Sequence, residues 1–243
     1  MSAPSIDIRR RDQRFHTAAG WLESHHSFSF SRHYDPKSTH FGLLLVNNDD
    51  MVLADTGFST HPHQDMEIVT WVLDGEVEHK DSEGNHGIIY PGLAQRMSAG
   101  TGIWHSEMNP SRDDAVHFVQ MWVIPDRERI APGYEQLDIN DELAKGGLVP
   151  VASGRGHDAA ISIRQRDAVL YAARLAPGER LALPDAPFVH LFVPRGAVEL
   201  EGAGRLDEGD AVRLTAAGGP SETAAADGAG AEVLVWEMHG AVA

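Results

Sequence analysis

Short apolar runs separated by turn signals dominate the chain, and no stretch sustains a helical period. Phe41-Gly-Leu-Leu-Leu-Val46 stops at Asn47-Asn-Asp-Asp50, which reads as a turn, and Met51-Val-Leu-Ala54 follows. Ile68-Val-Thr-Trp-Val-Leu73 meets Asp74-Gly75, a hairpin signal, and returns as Glu76-Val-Glu-His79. Pro91-Gly92 predicts another turn, and His117-Phe-Val-Gln-Met-Trp-Val-Ile124 a further strand. Strands at this spacing predict an antiparallel sandwich or barrel. Residues 125 to about 160 change character: Pro125, Pro132-Gly133, Gly146-Gly147 and Gly154 punctuate a polar stretch with one helical turn around Asn140-Asp-Glu-Leu-Ala144. That reads as a linker.

Strand signals resume at Ala168–Leu175, Val189–Val193, Ala197–Leu200, Ala211–Leu214 and Ala231–Trp236, with an Ala/Gly-rich loop expected from Ala216 to Gly230. The second half thus repeats the β-rich, turn-punctuated organisation of the first. The economical reading is an all-β chain of two tandem β-barrels, one over residues 1–135 and one over 136–243. A length of 243 residues suits two such domains at roughly 100–150 residues each.

Composition narrows the function classes. With 36 acidic and 20 basic side chains the formal charge is −16. That argues against direct nucleic-acid contact, which depends on basic side chains neutralising phosphates. The charge divides evenly about Met121, −8 on each side, so no basic half is hidden by an acidic one. There is no cysteine, which excludes disulfides, thiol nucleophiles and thiolate metal sites. No apolar run approaches the roughly 18 residues of a membrane span, and the arginine-rich start lacks an apolar signal core. The expectation is a cytoplasmic protein without membrane contact.

Histidine does not divide evenly: 11 of 14 precede Met121. Two segments stand out, Gly57-Phe-Ser-Thr-His61-Pro-His63-Gln-Asp-Met-Glu67 and Ala99-Gly-Thr-Gly102-Ile-Trp-His105-Ser-Glu107-Met-Asn109. Residues two apart on a strand share a face, so His61 with His63, and His105 with Glu107, present paired ligands. Together they offer three imidazoles and a carboxylate, a set suited to Fe(II), Mn(II), Ni(II), Cu(II) or Zn(II). Four ligands leave about two positions of an octahedral ion open, as catalysis requires. Each pair alone is expected about once by chance at this histidine content, so the weight lies on their context. Glu67 is a rival carboxylate, four residues after His63 and read on the same face; spacing leaves both open. His79 and His117 read as satisfied strand imidazoles, His33, His40 and His86 as loop surface. His25 and His26 could line the site mouth or be structural, and Trp21, Phe28 and Phe30 read as packing.

The order Gly57-x3-His61-x-His63-x3-Glu67-x7-Gly75 is close to the first cupin motif, and Gly102-x2-His105-x3-Asn109 matches the second, with Gly100 where proline is usual. Thr60-His61-Pro-His63, Val77-Glu-His79, Met97-Ser-Ala-Gly-Thr-Gly102 and His105-Ser-Glu107-Met-Asn109-Pro110 resemble the pirin family. So do Gly20 to Phe30 and Tyr34-Asp-Pro36, and the likeness is strongest to bacterial pirin-like proteins of the quercetinase type over residues 15 to 136. The resemblance implies a bicupin, two jelly-roll cupin barrels of which the first holds the metal. It implies His61, His63, His105 and Glu107 as ligands, Glu107 as the catalytic base, and Glu67 as a supporting carboxylate. It further implies one divalent transition metal, Fe(II) first, with Mn, Ni, Co, Cu or Zn as alternatives. The activity implied is a dioxygenase that takes a flavonol such as quercetin and O2, opens the heterocyclic ring and releases CO. A second reading makes the same ligands a redox-sensing switch in a regulator that binds a protein partner; a third is another cupin activity on a different small molecule.

Overall fold

The protein is described by a computed structural model covering residues 5–216, 222–226, 228 and 230–242. It is all-β, and among the described residues the only α-helix is the single turn Asn140–Leu143. No helix there is long and apolar enough to cross a membrane.

The first barrel is a sandwich of two antiparallel sheets. The larger runs Gly133–Asp138, Leu93–Ser98, Glu67–Asp74, Val116–Val123, Leu44–Val52, Leu22–His26 and Phe15–Ala18 in hydrogen-bonded order. The smaller runs Gly57–His63, Ile103–Met108, Val77–Asp81 and His86–Ile89. The second barrel is built around the 13-residue strand Phe188–Leu200, which pairs with Ala211–Thr215, Ala231–Met238, Gly204–Asp207 and Glu222–Ala225.

Strand alternation gives the central strands of the larger sheet two different faces. Val69, Trp71, Leu73, Val119, Met121 and Val123 join Leu170, Phe192, Leu234 and Trp236 of the second barrel in one continuous core. The alternate residues, Ile68, Thr70, Val72, Phe118, Gln120 and Trp122, face into the first barrel. Its interior is apolar at both ends. Val52, Val72, Val77, Ile89 and Phe118 pack at one, and Ile68, Met97, Ala99 and Ile103 at the other. Between them lie buried polar side chains, among them Asn48, Asp50, Thr70, Gln95 and Gln120.

Several sequence expectations are corrected. Asn47-Asn-Asp-Asp50 is not a turn; it continues one strand, Leu44–Val52, because each polar side chain is buried against a partner inside the protein. Asp74-Gly75 does not close a hairpin: Glu67–Asp74 and Val77–Asp81 belong to different sheets, and Gly75, at φ +76°, turns the corner between them. The expected linker contains Gly133–Asp138, paired with Leu93–Ser98, and Val149–Ser153, paired with Ala168–Leu175. The expected division at 135/136 therefore falls inside a strand of the first barrel. The N-terminal strand Ser5–Arg9 pairs with Ala211–Thr215, so it completes the second sheet, not the first. Val189–Val193 and Ala197–Leu200 are one strand with a register shift between Phe192 and Arg195. Within the expected loop 216–230, Glu222–Ala225 is a strand; residues 217–221, 227 and 229 lie outside the described residues.

Candidate metal centre

Cross-strand register brings the candidate ligands together. In Ile103–Met108 the side chains of Ile103, His105 and Glu107 are buried while Trp104 is 54% exposed, so His105 and Glu107 point inward together. On one side His105 stands opposite His61, and Ile103 opposite His63. On the other, His105 stands opposite Asp81 and Glu107 opposite His79. A bulge between His105 and Glu107 sets Glu107 opposite Phe58, so Ser59 and Thr60 add one extra residue to that strand. Gly57 permits this close crossing, since a β-carbon there would collide with the Glu107 carbonyl oxygen and the Met108 backbone.

His61, His63 and His105 each offer a ring nitrogen within 4.8 Å of the others. His61 Nδ1 lies 2.8 Å from the Ser59 carbonyl oxygen; that oxygen can only accept, so Nδ1 carries a proton and Nε2 is the nitrogen turned inward. His63 Nε2 is buried with no hydrogen-bond partner among the described residues. His105 Nε2 lies 3.1 Å from His61 Nε2. Ligands at right angles on an ion with bonds of roughly 2.1 Å would stand about 3.0 Å apart. An unpartnered buried nitrogen and two facing nitrogens at this spacing fit a divalent cation of the imidazole-binding kind. Burial, reinforced by the neighbouring imidazoles, lowers His63 to about 4 and His105 to about 3, which keeps both rings neutral, as ligands must be.

Glu107, 3% exposed, is reached by two donors from the facing sheet: Thr70 Oγ1 at 3.0 Å from Oε1 and Gln120 Nε2 at 2.5 Å from Oε2. Its carboxylate groups with His79 and His105 within the same 4.8 Å limit, so His105 is common to both clusters. Glu67 is elsewhere. After the turn at Asp65 it begins a strand of the larger sheet, sharing the outward face of Val69 and Trp71, and the same-face reading with His61 and His63 does not hold. Its Oε2 accepts from Ser98 Oγ at 2.9 Å and from the Arg164 amide of the second barrel at 3.0 Å.

Aromatic walls flank the three histidines. Trp122 lies edge-on to His63 at 4.8 Å, and Phe30 edge-on to Trp122 at 5.5 Å. Opposite, Phe58 is 6.5 Å from His61 and Trp21 packs edge-on to Phe58 at 5.2 Å. Trp21 and Phe30, expected as packing residues, thus continue the walls around the site; Phe28 is core, beneath the Arg213 guanidinium. His26 is buried, hydrogen-bonded to Thr17 at 2.9 Å and stacked on Phe30, and His25 stacks on His16. His33 is tied to Thr17, not loose surface, and His117 Nε2 donates to Asp49 Oδ1 at 2.6 Å. Sequence reasoning missed His79 as a neighbour of His105, and Thr70 and Gln120 as partners of Glu107. Only the Val77-Glu-His79 motif hinted at the first; the other two depend on which strands face one another.

The chain matches the Pirin family over residues 8–123 and the quercetinase C-terminal cupin domain over residues 150–238. It is 58% identical over 236 residues to a Mycobacterium tuberculosis protein provisionally named quercetin 2,3-dioxygenase, covering 97% of this chain and 96% of that one. It is 45% identical over 175 residues to the quercetin 2,3-dioxygenase of Escherichia coli K12, covering 72% and 74%. Among solved structures, E. coli YhhW superposes with a TM-score of 0.87 at 37% identity over 97% of this chain and 99% of that one. The bacterial pirin YhhW in complex with nickel(II) superposes with a TM-score of 0.88 at 36% identity over 98% and 100%.

Proposed function

The chain belongs to the pirin family, a bicupin fold, and from that premise we propose that it is a metal-dependent dioxygenase that opens the heterocyclic ring of a flavonol such as quercetin with O2 and releases CO. One observation carries the reading: three imidazoles converge beside a buried carboxylate, and two of them are partly open to the outside. In this reading His61, His63, His105 and Glu107 hold one divalent transition metal. Fe(II) is favoured by the family resemblance, and the E. coli relative binds nickel(II). When bound, the ion supplies Lewis-acid polarisation of the substrate's 3-hydroxyl and a means of bringing dioxygen into reaction.

The chain's own residues do the rest. His61 and His105 turn their inner nitrogens toward the ion because their outer ones face the Ser59 carbonyl and His79. Glu107 takes the 3-hydroxyl proton as general base, with Thr70 and Gln120 holding its carboxylate in place. Trp122 and Phe30 on one side, Phe58 and Trp21 on the other, offer ring faces and edges to a flat aromatic substrate. Elemental analysis combined with an anaerobic-to-aerobic quercetin assay tests this. Native protein is expected to carry about one ion per chain and to consume quercetin with CO release only when O2 is admitted. His61→Ala should lose both metal and turnover. Unchanged metal content in that variant would sink the site, and metal-loaded native protein inert to quercetin would favour the regulatory switch.

A further inference from the structure

We propose that Asp81 and His79 form a positioning relay behind His105, a buried carboxylate–imidazole–imidazole chain that fixes the tautomer and ring orientation of one metal ligand. The inference rests on the reading of His61, His63 and His105 as ligands. The His79 and Asp81 side chains are 1% and 0% exposed. Asp81 Oδ2 lies 3.2 Å from His79 Nε2, and His79 Nδ1 lies 3.5 Å from His105 Nδ1. His105 Nε2, at the far side of the ring, faces His61.

Asp81 fixes the first proton of this chain. An ionised carboxylate only accepts, so His79 Nε2 carries a proton. His79 then turns Nδ1 toward His105 Nδ1, placed to accept the proton that His105 donates when its own Nε2 serves the ion. That leaves His105 Nε2 with a lone pair directed inward, as a ligand needs. The opposite tautomer would aim an N–H at the ion. The anchor is itself anchored: Asp81 Oδ1 accepts from the backbone amides of Glu83 and Asn85 at 3.0 and 2.9 Å, and Asn85 Nδ2 donates to Oδ2 at 2.9 Å. The tight turn between Val77–Asp81 and His86–Ile89 therefore holds the carboxylate still. The Tyr134 ring packs against the His79 ring, 4.8 Å away at 32°.

Cobalt(II) loading tests the relay by two readouts, neither of which is turnover. Chelator competition is expected to show affinity about 10- to 100-fold weaker in His79→Leu, the range typical for loss of a partner that orients a ligand. His79→Asn, whose amide oxygen stands where Nδ1 stood, should recover most of that loss; a variant that merely misfolds would not. In the proton NMR spectrum of cobalt-loaded native protein, the His105 Nδ1 proton should appear as a strongly shifted signal that exchanges slowly with D2O. It should vanish or exchange rapidly in His79→Leu. Equal affinity and an unaltered slow signal in His79→Leu would overturn the relay while leaving the metal centre standing. Native protein that takes up no cobalt would overturn both, and that result precedes any comparison of variants.

Discussion

Glu67 and Glu107 are chemically the same side chain, and spacing alone offers both to the same pair of histidines. Their fates diverge because Asp65, at φ +45°, ends one strand before Glu67 begins another. Glu67 then alternates with Val69 and Trp71 toward the second barrel, where Ser98 and the Arg164 amide take up its Oε2. Burial pushes its carboxyl pKa up, against the hydrogen bonds that lower it. Glu67→Gln retains an oxygen for both donors, so metal content should stay near that of native protein. Glu107→Gln should weaken binding at least about tenfold, because a charged ligand becomes a neutral one. Metal analysis of the two variants checks this; loss confined to Glu67→Gln would mean the carboxylates were assigned the wrong way round. His61, His63 and His105 were legible as two short motifs. The strand pairings that make them neighbours, His105 opposite His61 and Ile103 opposite His63, were not. Local spacing encodes which face a residue takes, and register is set by contacts distant in sequence.

At the scale of the element, Leu44–Val52 shows why a polar run misleads. Four consecutive Asn and Asp residues normally break structure, since their side chains compete for the backbone. Here Ser24 donates to Asp50, Asn47 Nδ2 donates to Ser27, and Arg14 and His117 flank Asp49 at 3.6 and 2.6 Å. Every one of those partners is remote in sequence, so nothing local signals that the run is a buried strand. The strand carries a pH dependence of its own. Burial, with the nearby Asp49 and Glu107 charges, raises the Asp50 carboxyl to about 7. A carboxyl raised on folding contributes stability that is fully present below its unfolded value of roughly 4 and is lost as the pH rises through 7. Asp50→Asn removes that loss. Its stability relative to native protein should climb between pH 4 and pH 8, measured as midpoints of denaturant unfolding. A difference independent of pH would show that Asp50 is ionised throughout.

Two tandem barrels were legible from the repeated strand signals, but their degree of union was not. Trp71, Val119 and Met121 of the first barrel and Leu170, Phe192 and Trp236 of the second form one core. Hydrogen bonds cross the same boundary: Trp71 Nε1 donates to Glu232 at 2.7 Å, and Arg195 donates to the Leu73 carbonyl at 2.7 Å. Arg14, 6% exposed, donates from one guanidinium to Gly209 of the second barrel and to His25 and Asn47 of the first. The N-terminal strand Ser5–Arg9 adds a covalent crossing, because it edges the second sheet before the chain enters the first barrel. Such a molecule should unfold in a single calorimetric transition, the calorimetric and van't Hoff enthalpies agreeing. Separated from the rest, residues 136–243 would bare Leu170, Phe192 and Trp236, each worth about 1.5–3 kcal/mol of lost burial, and would leave Ala211–Thr215 as an open edge. That fragment is expected to aggregate or remain unfolded on its own. Two well-separated transitions in the whole protein, or a soluble fragment with a cooperative melt of its own, would mean that the shared core docks two finished domains; one transition means that neither is finished without the other.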